Sequence, residues 1–404
     1  MKKMIIMILI LAILLSGTAY GAESAMEMES DDGEADVSVF KEVTQTAGEG
    51  LDVSAPAAIL VEKETGTVLF EKNADVRKQP ASVTKVMTIL LIAEAIEAGS
   101  ISMEDNVTVS QYASSMGGSQ VFLEEGETMT VHEMLKSIVV ASANDAAVAM
   151  AEYIAGSEDA FVMMMNNRAQ ELGMKNTTFC NCTGLLDQPE HLTTARDISI
   201  MSRELISHDW IKEYTTIWMD TIRNGEFGLS NTNKMIRYYE GATGLKTGFT
   251  STAKYCISAT AERDGVEYIA VVMGCETSND RFESAKVLLS YGFSNYTLIT
   301  PETEEVLKPI PVTMGNSETV QPVLGETEKL LVKKSKAGGI TKEVELADNV
   351  KAPVREGDVL GSLRLASDGE ILAEIPIVAG YTVERLSMGD IFAKMIRILA
   401  FGTN

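Results

Sequence analysis

The chain has 404 residues, of which 45% are hydrophobic and 23% charged, ample for a sizeable core. Its 58 acidic residues against 34 Lys and Arg give a formal net charge of −24, which excludes nucleic acid as a partner because phosphates recruit basic surfaces. With 4 cysteines and 3 histidines, and no zinc spacing among them, no disulfide scaffold, metal or cofactor is expected.

The N-terminus carries Lys2 and Lys3, then an apolar run to Leu15, then the small residues Ala19 and Gly21. This order predicts a secretory signal over residues 1–22, cut near Gly21 or Ala22, so the rest of the chain works outside the cytoplasm. A retained anchor is the alternative, although the apolar run is short for a span. Residues 23–50 hold nine acidic residues against the single Lys41 and few large apolar ones. They cannot bury a core and are expected to form a flexible acidic spacer.

An α/β domain is expected over residues 51–298. Ala57–Glu62 and Thr67–Glu71 read as a hairpin turned at Gly66, and Lys254–Ala261 and Glu267–Met273 as a second one turned at Asp264-Gly265. With a preceding strand at Lys246–Gly248, these predict a five-stranded, mostly antiparallel sheet assembled from both ends of the domain. Between the ends lies a helical subdomain. Ser82–Ala98 is apolar on nearly every side and predicts a buried helix. Val131–Val140, Asp145–Ile154 and Ala160–Leu172 read as amphipathic helices, and Phe282–Leu289 as a helix returning to the sheet. Cys180 and Cys182 stand too close for an ordinary bridge. Cys256 and Cys275 fall on predicted neighbours, which leaves open a bridge there or four buried free thiols.

Short alternating runs split by Gly, Asp and Asn turns predict a small all-β domain over residues 301–384. Residues 385–404 carry Met388, Ile391, Phe392, Met395, Ile396, Leu399 and Phe401 at helical steps, with Lys394 and Arg397 between them. This pattern suits an amphipathic helix lying on a membrane surface. Docking on the β-domain is the alternative.

Three motifs carry the chemistry: Ser82-Val-Thr-Lys85, Ser142-Ala-Asn144 and Lys246-Thr247-Gly248. Pro80 suits a helix start. It places Ser82 in the first turn, where unpaired N–H groups favour developing negative charge. Lys85 lies one turn along, within reach of the Ser82 hydroxyl. Its neutral amine can take the serine proton if burial and a second cation, Lys246, depress its pKa. Ser142 and Asn144 fall at a helix–helix break that aims them into a cleft, Ser142 to relay a proton and Asn144 to hold substrate amide and fix Lys85. Lys246 and Thr247 offer a cation and a hydroxyl to a carboxylate, and Gly248 admits close approach of substrate. The N–H groups of Ser82 and Phe249 would form the oxyanion hole. His191, alone in a loop, reads first as structural, with substrate contact the lesser alternative.

The segments Pro80–Thr88, Gly184-Leu185 with His191–Asp197, and Gly244–Thr250 resemble those of low-molecular-weight penicillin-binding proteins, the secreted serine D-alanyl-D-alanine carboxypeptidases. The resemblance is close over about residues 51–300 and looser beyond. Phe249 departs from it, since some members carry His there. It implies the DD-peptidase/serine β-lactamase-like fold, and a peptidoglycan stem peptide ending in D-Ala-D-Ala as substrate. It further implies acylation of Ser82 and covalent inhibition by β-lactams. A serine β-lactamase of the same fold is one rival, although no E-x-x-L-N segment lies between Ser142 and Lys246. A peptidoglycan endopeptidase or transpeptidase is a second, and a non-catalytic β-lactam sensor a third.

Overall fold

The computed structural model describes residues 51–185 and 188–401. The secretory signal and acidic spacer expected over residues 1–50 lie outside the described residues. The first hairpin pairs β1 (Ala57–Glu62) with β2 (Val68–Lys72). Three strands from the far end of the domain complete the sheet: β3 (Ala242–Thr250), β4 (Lys254–Arg263) and β5 (Val266–Cys275). The order is β2-β1-β5-β4-β3, and every pairing is antiparallel. β5 is therefore central, with Ala57 opposite Met273, and β3 is an edge.

Side chains of a strand alternate between faces, and here each face meets its own core. Ile59, Val61, Ile269, Val271 and Met273 pack against the helical subdomain. Leu60, Tyr268, Ala270 and Val272 pack against Phe282, Leu288 and Leu289 of the returning helix. All ten residues of β5 are buried, which is why its sequence reads as a nearly unbroken apolar run.

The helical subdomain contains α1 (Lys85–Glu97), α2 (Val131–Val140), α3 (Asn144–Ala155), α4 (Glu158–Glu171) and α5 (Ala195–Leu205), and α6 (Ser278–Asn295) covers the opposite face of the sheet. In α1 every residue from Lys85 to Ala93 is buried, so no polar face interrupts it. The structure differs from expectation at three helices. The element expected over Ser82–Ala98 opens with a 3₁₀ turn, Ala81–Thr84, before α1 begins. Helix α6 is longer than Phe282–Leu289, its start set by the Thr277 side chain accepting the Asp280 N–H. Helix α5 was not anticipated, although Ile198, Met201 and Leu205 recur at helical steps on its buried face and the Thr194 side chain accepts the Asp197 N–H at its start.

Cys182, Cys256 and Cys275 are buried free thiols, while Cys180 is only partly buried. No Cys256–Cys275 bridge forms, because an irregularity between Tyr255 and Ile257 leaves Cys256 without an opposite residue and sets Tyr255 against Cys275.

After α6 the chain turns to short strands. The principal sheet holds β6 (Pro322–Leu324), β7 (Thr341–Leu346), β8 (Val359–Ser367) and β9 (Glu370–Ala379) in the order β6-β9-β8-β7. Its core is built around Leu363, Leu365, Ile375 and Ile377. The described chain ends in α7 (Met388–Phe401).

Candidate active site

Ser82 and Lys85 lie at the start of α1, against the edge strand β3. A 3₁₀ turn has three residues, so positions i and i+3 eclipse one another. This stacks Lys85 on Ser82 and places its Nζ 3.2 Å from the serine Oγ. The amine has two shorter contacts, 2.6 Å to Asn144 Oδ1 and 2.9 Å to the Thr183 carbonyl. Asn144 donates through Nδ2 to the Gly117 carbonyl at 2.7 Å, which turns its Oδ1 toward the lysine. Both short partners can only accept, so they take up the two protons of a neutral amine. The remaining lone pair is left for the Ser82 hydroxyl.

Lys85 is completely buried, and burial pushes its amine from the ordinary lysine value down to about 7. Lys246 is also buried and falls well below the ordinary value, through burial first and then the charges of Lys85 and Arg281. The sequence reading expected burial and Lys246 together to lower the pKa of Lys85; burial does so, while the repulsion between the two amines is expressed at Lys246.

Ser142 occupies the break between α2 and α3, as expected, with a left-handed φ of +63°. Its buried hydroxyl has no hydrogen-bond partner among the described residues. Asn144 opens α3, and its N–H donates to the Ser119 carbonyl at 2.7 Å. The loop it touches is secured by its neighbour Asp145, whose buried carboxylate accepts the N–H groups of Val121 at 3.0 Å and Leu123 at 3.1 Å.

On β3, Lys246 Nζ donates to the Thr247 carbonyl at 3.1 Å, and Thr247 Oγ1 meets Thr232 Oγ1 at 2.8 Å. Gly248 differs in its reason. A methyl group there would stand 2.8 Å from the Pro80 carbonyl oxygen and 2.9 Å from the Ser82 nitrogen. The close approach Gly248 permits is that of the turn carrying Ser82. The Phe249 side chain points outward, 53% exposed, with its ring 4.3 Å from that of Tyr255.

The eight residues singled out in the sequence thus fall on the start of α1, the α2–α3 break and the edge strand β3. Sequence reasoning missed their supports: Thr84, Asp145, Thr183 and Thr232. It also left His191 without a part in the site. His191 is buried, 2% exposed, and both of its ring nitrogens are engaged, by Thr84 Oγ1 and the Cys180 N–H.

A serine paired with a buried lysine, beside an antiparallel edge strand carrying Lys-Thr-Gly, defines the penicillin-binding class of serine acyl-transfer proteins. A family model described as D-alanyl-D-alanine carboxypeptidase matches residues 42–277, and one described as penicillin-binding protein 5, C-terminal domain, matches residues 293–385. The chain belongs to the D-alanyl-D-alanine carboxypeptidase family. It is 44% identical to the D-alanyl-D-alanine carboxypeptidase DacF of Bacillus subtilis, over 80% of this chain and 85% of that one. It is 31% identical to DacC of Escherichia coli, over 86% and 88%. The crystal structure of penicillin binding protein 5 from Haemophilus influenzae matches with a TM-score of 0.72 at 29% identity, covering 83% of this chain and 98% of that one.

Proposed function

We propose that the protein is a serine D-Ala-D-Ala carboxypeptidase that trims peptidoglycan stem peptides outside the cytoplasm, with Ser82 as nucleophile. The observation that carries the assignment of roles is the buried Lys85 amine, 3.2 Å from Ser82 Oγ with its other contacts both to acceptors. Neutral Lys85 takes the hydroxyl proton as Ser82 attacks the penultimate carbonyl. The N–H groups of Ser82 and Phe249 hold the developing oxyanion. The unpaired Ser142 hydroxyl relays the proton to the leaving nitrogen, D-alanine departs, and water hydrolyses the acyl-enzyme. Lys246 and Thr247 receive the terminal carboxylate, whose charge favours the protonated form of Lys246. A β-lactam presents a like carboxylate and carbonyl, and acylates Ser82.

Helix α7 supports association with the membrane surface. Met388, Phe392, Met395, Ile396 and Leu399 are all more than half exposed, so these side chains are not packed into the β-domain. No helix among the described residues is long and apolar enough to cross a membrane.

Incubation with a D-Ala-D-Ala pentapeptide and with benzylpenicillin tests the reading. Release of D-alanine with slow penicillin turnover is expected, and Ser82→Ala lowers both acylations by more than about a thousandfold. Rapid penicillin turnover without D-alanine release would instead make the protein a β-lactamase, and activity persisting in Ser82→Ala would remove the nucleophile.

A further inference from the structure

We propose that His191 is a positioning residue that sets the direction of the Ser82 N–H, the expected oxyanion donor, by acting through Thr84 on the carbonyl of the same peptide unit. The inference rests on the reading of Ser82 as nucleophile.

The polarity of the chain of contacts is fixed by its two ends. At one end the Ala81 carbonyl can only accept, so the Thr84 hydroxyl, 2.8 Å away, donates to it. Thr84 Oγ1 must then accept from His191 Nε2, also 2.8 Å away. At the other end the Cys180 N–H can only donate, and it lies 3.1 Å from His191 Nδ1. Both ends therefore demand the same neutral tautomer, with its proton on Nε2. Burial favours that neutral form, pushing the ring's pKa down to about 4.

The carbonyl held in this way has an unusual position. Ala81 is not glycine, yet its φ is +49°, a left-handed conformation that costs about 1–2 kcal/mol. The peptide bond is planar, so the Ala81 C=O and the Ser82 N–H lie at opposite ends of one rigid plate. Anchoring the carbonyl in the buried layer aims the N–H the other way, toward β3, where the Ser82 nitrogen sits close over Gly248. The buried side is closed by Gly184, where a Cβ would stand 1.9 Å from the Ala81 oxygen. The 3₁₀ turn also engages this carbonyl through the backbone, and the Thr84 hydroxyl adds the side-chain anchor that sets the tilt of the plate. An oxyanion donor is effective only when its direction is set before charge develops. Thr183, next to Gly184, supplies its carbonyl to Lys85, so Thr183 and His191 support the base and the expected oxyanion donor respectively.

Asparagine and glutamine separate the two ends of the ring. Asn places its oxygen near the Nδ1 position and preserves the acceptor for Cys180 while losing Thr84. Gln carries an N–H donor near the Nε2 position and preserves the contact to Thr84. In the full chain, His191→Asn is expected to lower the benzylpenicillin acylation rate about 10- to 100-fold, with the loss on D-Ala-D-Ala peptide falling on kcat rather than KM. His191→Gln should rescue acylation to within about threefold of wild type. Thr84→Val should match His191→Asn, and the double variant should be no slower than either single one, because both break one contact chain. Wild-type acylation rates in His191→Asn would overturn this inference alone. So would equal losses in the Asn and Gln variants that track their melting temperatures. A wild-type protein that benzylpenicillin does not acylate would overturn the reading of Ser82, and this inference with it.

Discussion

A lysine works as a base at neutral pH only if its amine gives up its charge, and the surroundings of Lys85 impose this by complete burial. With the amine at about 7, the base is mostly charged at pH 6 and mostly neutral at pH 8. Acylation by benzylpenicillin should therefore rise with pH through about 7 and level off above it, as stopped-flow measurement from pH 5 to 9 would record. Lys85→Arg should lose nearly all acylation at every pH in that range, because a guanidinium stays protonated. Gly248 yields a second prediction. Gly248→Ala puts a methyl 2.9 Å from the Ser82 nitrogen, so the nucleophile turn must shift. Acylation should fall about a hundredfold, since a misplacement near 1 Å has that effect, with little change in melting temperature.

Among the elements, α3 organises the helical side of the cleft. Its first residue, Asn144, faces the lysine, and its second, Asp145, secures the loop from which Gly117 and Ser119 hold Asn144. Arg223 closes that loop from outside, donating to the Val121 carbonyl at 2.9 Å and pairing with Glu127. Phe122, between the two N–H groups held by Asp145, is kept at a φ of +57°. Asp145→Ala leaves two buried N–H groups without an acceptor and should lower stability by about 2–4 kcal/mol, read from urea unfolding. Slower acylation should accompany it, because Asn144 loses its supports. These contacts were not legible in the sequence. The motif Ser142-Ala-Asn144 was, since it depends on one helix break, whereas Asp145 acts on a loop more than twenty residues away.

At the scale of the whole molecule, the cleft is closed by segments brought from both ends of the domain. The nucleophile turn precedes β3 by some 160 residues of chain, and only the sheet order, with the late strand β5 beside β1, sets them face to face. The β-domain follows, and α7 ends the described chain with five large apolar side chains exposed. Deleting residues 386–404 should abolish co-sedimentation with phosphatidylglycerol vesicles while leaving D-alanine release from a soluble pentapeptide unchanged. Unaltered sedimentation would refute the surface helix.

What the sequence determined by itself was the pairing of Ser82 with Lys85 and the alternation that builds the fold. Ser82 and Lys85 meet because three residues make one turn, and β1, β4 and β5 are strands because apolar and β-rich runs are bounded by turn residues. These are local properties of the chain. The tertiary structure alone decided that Lys85 loses its charge through burial, and that Gly248 makes room for the nucleophile turn. It alone set His191 behind the Ser82 peptide, 107 residues from Thr84 in the chain. Desolvation, close approach and the direction of a peptide plane depend on what is packed alongside, and no spacing along the chain encodes that.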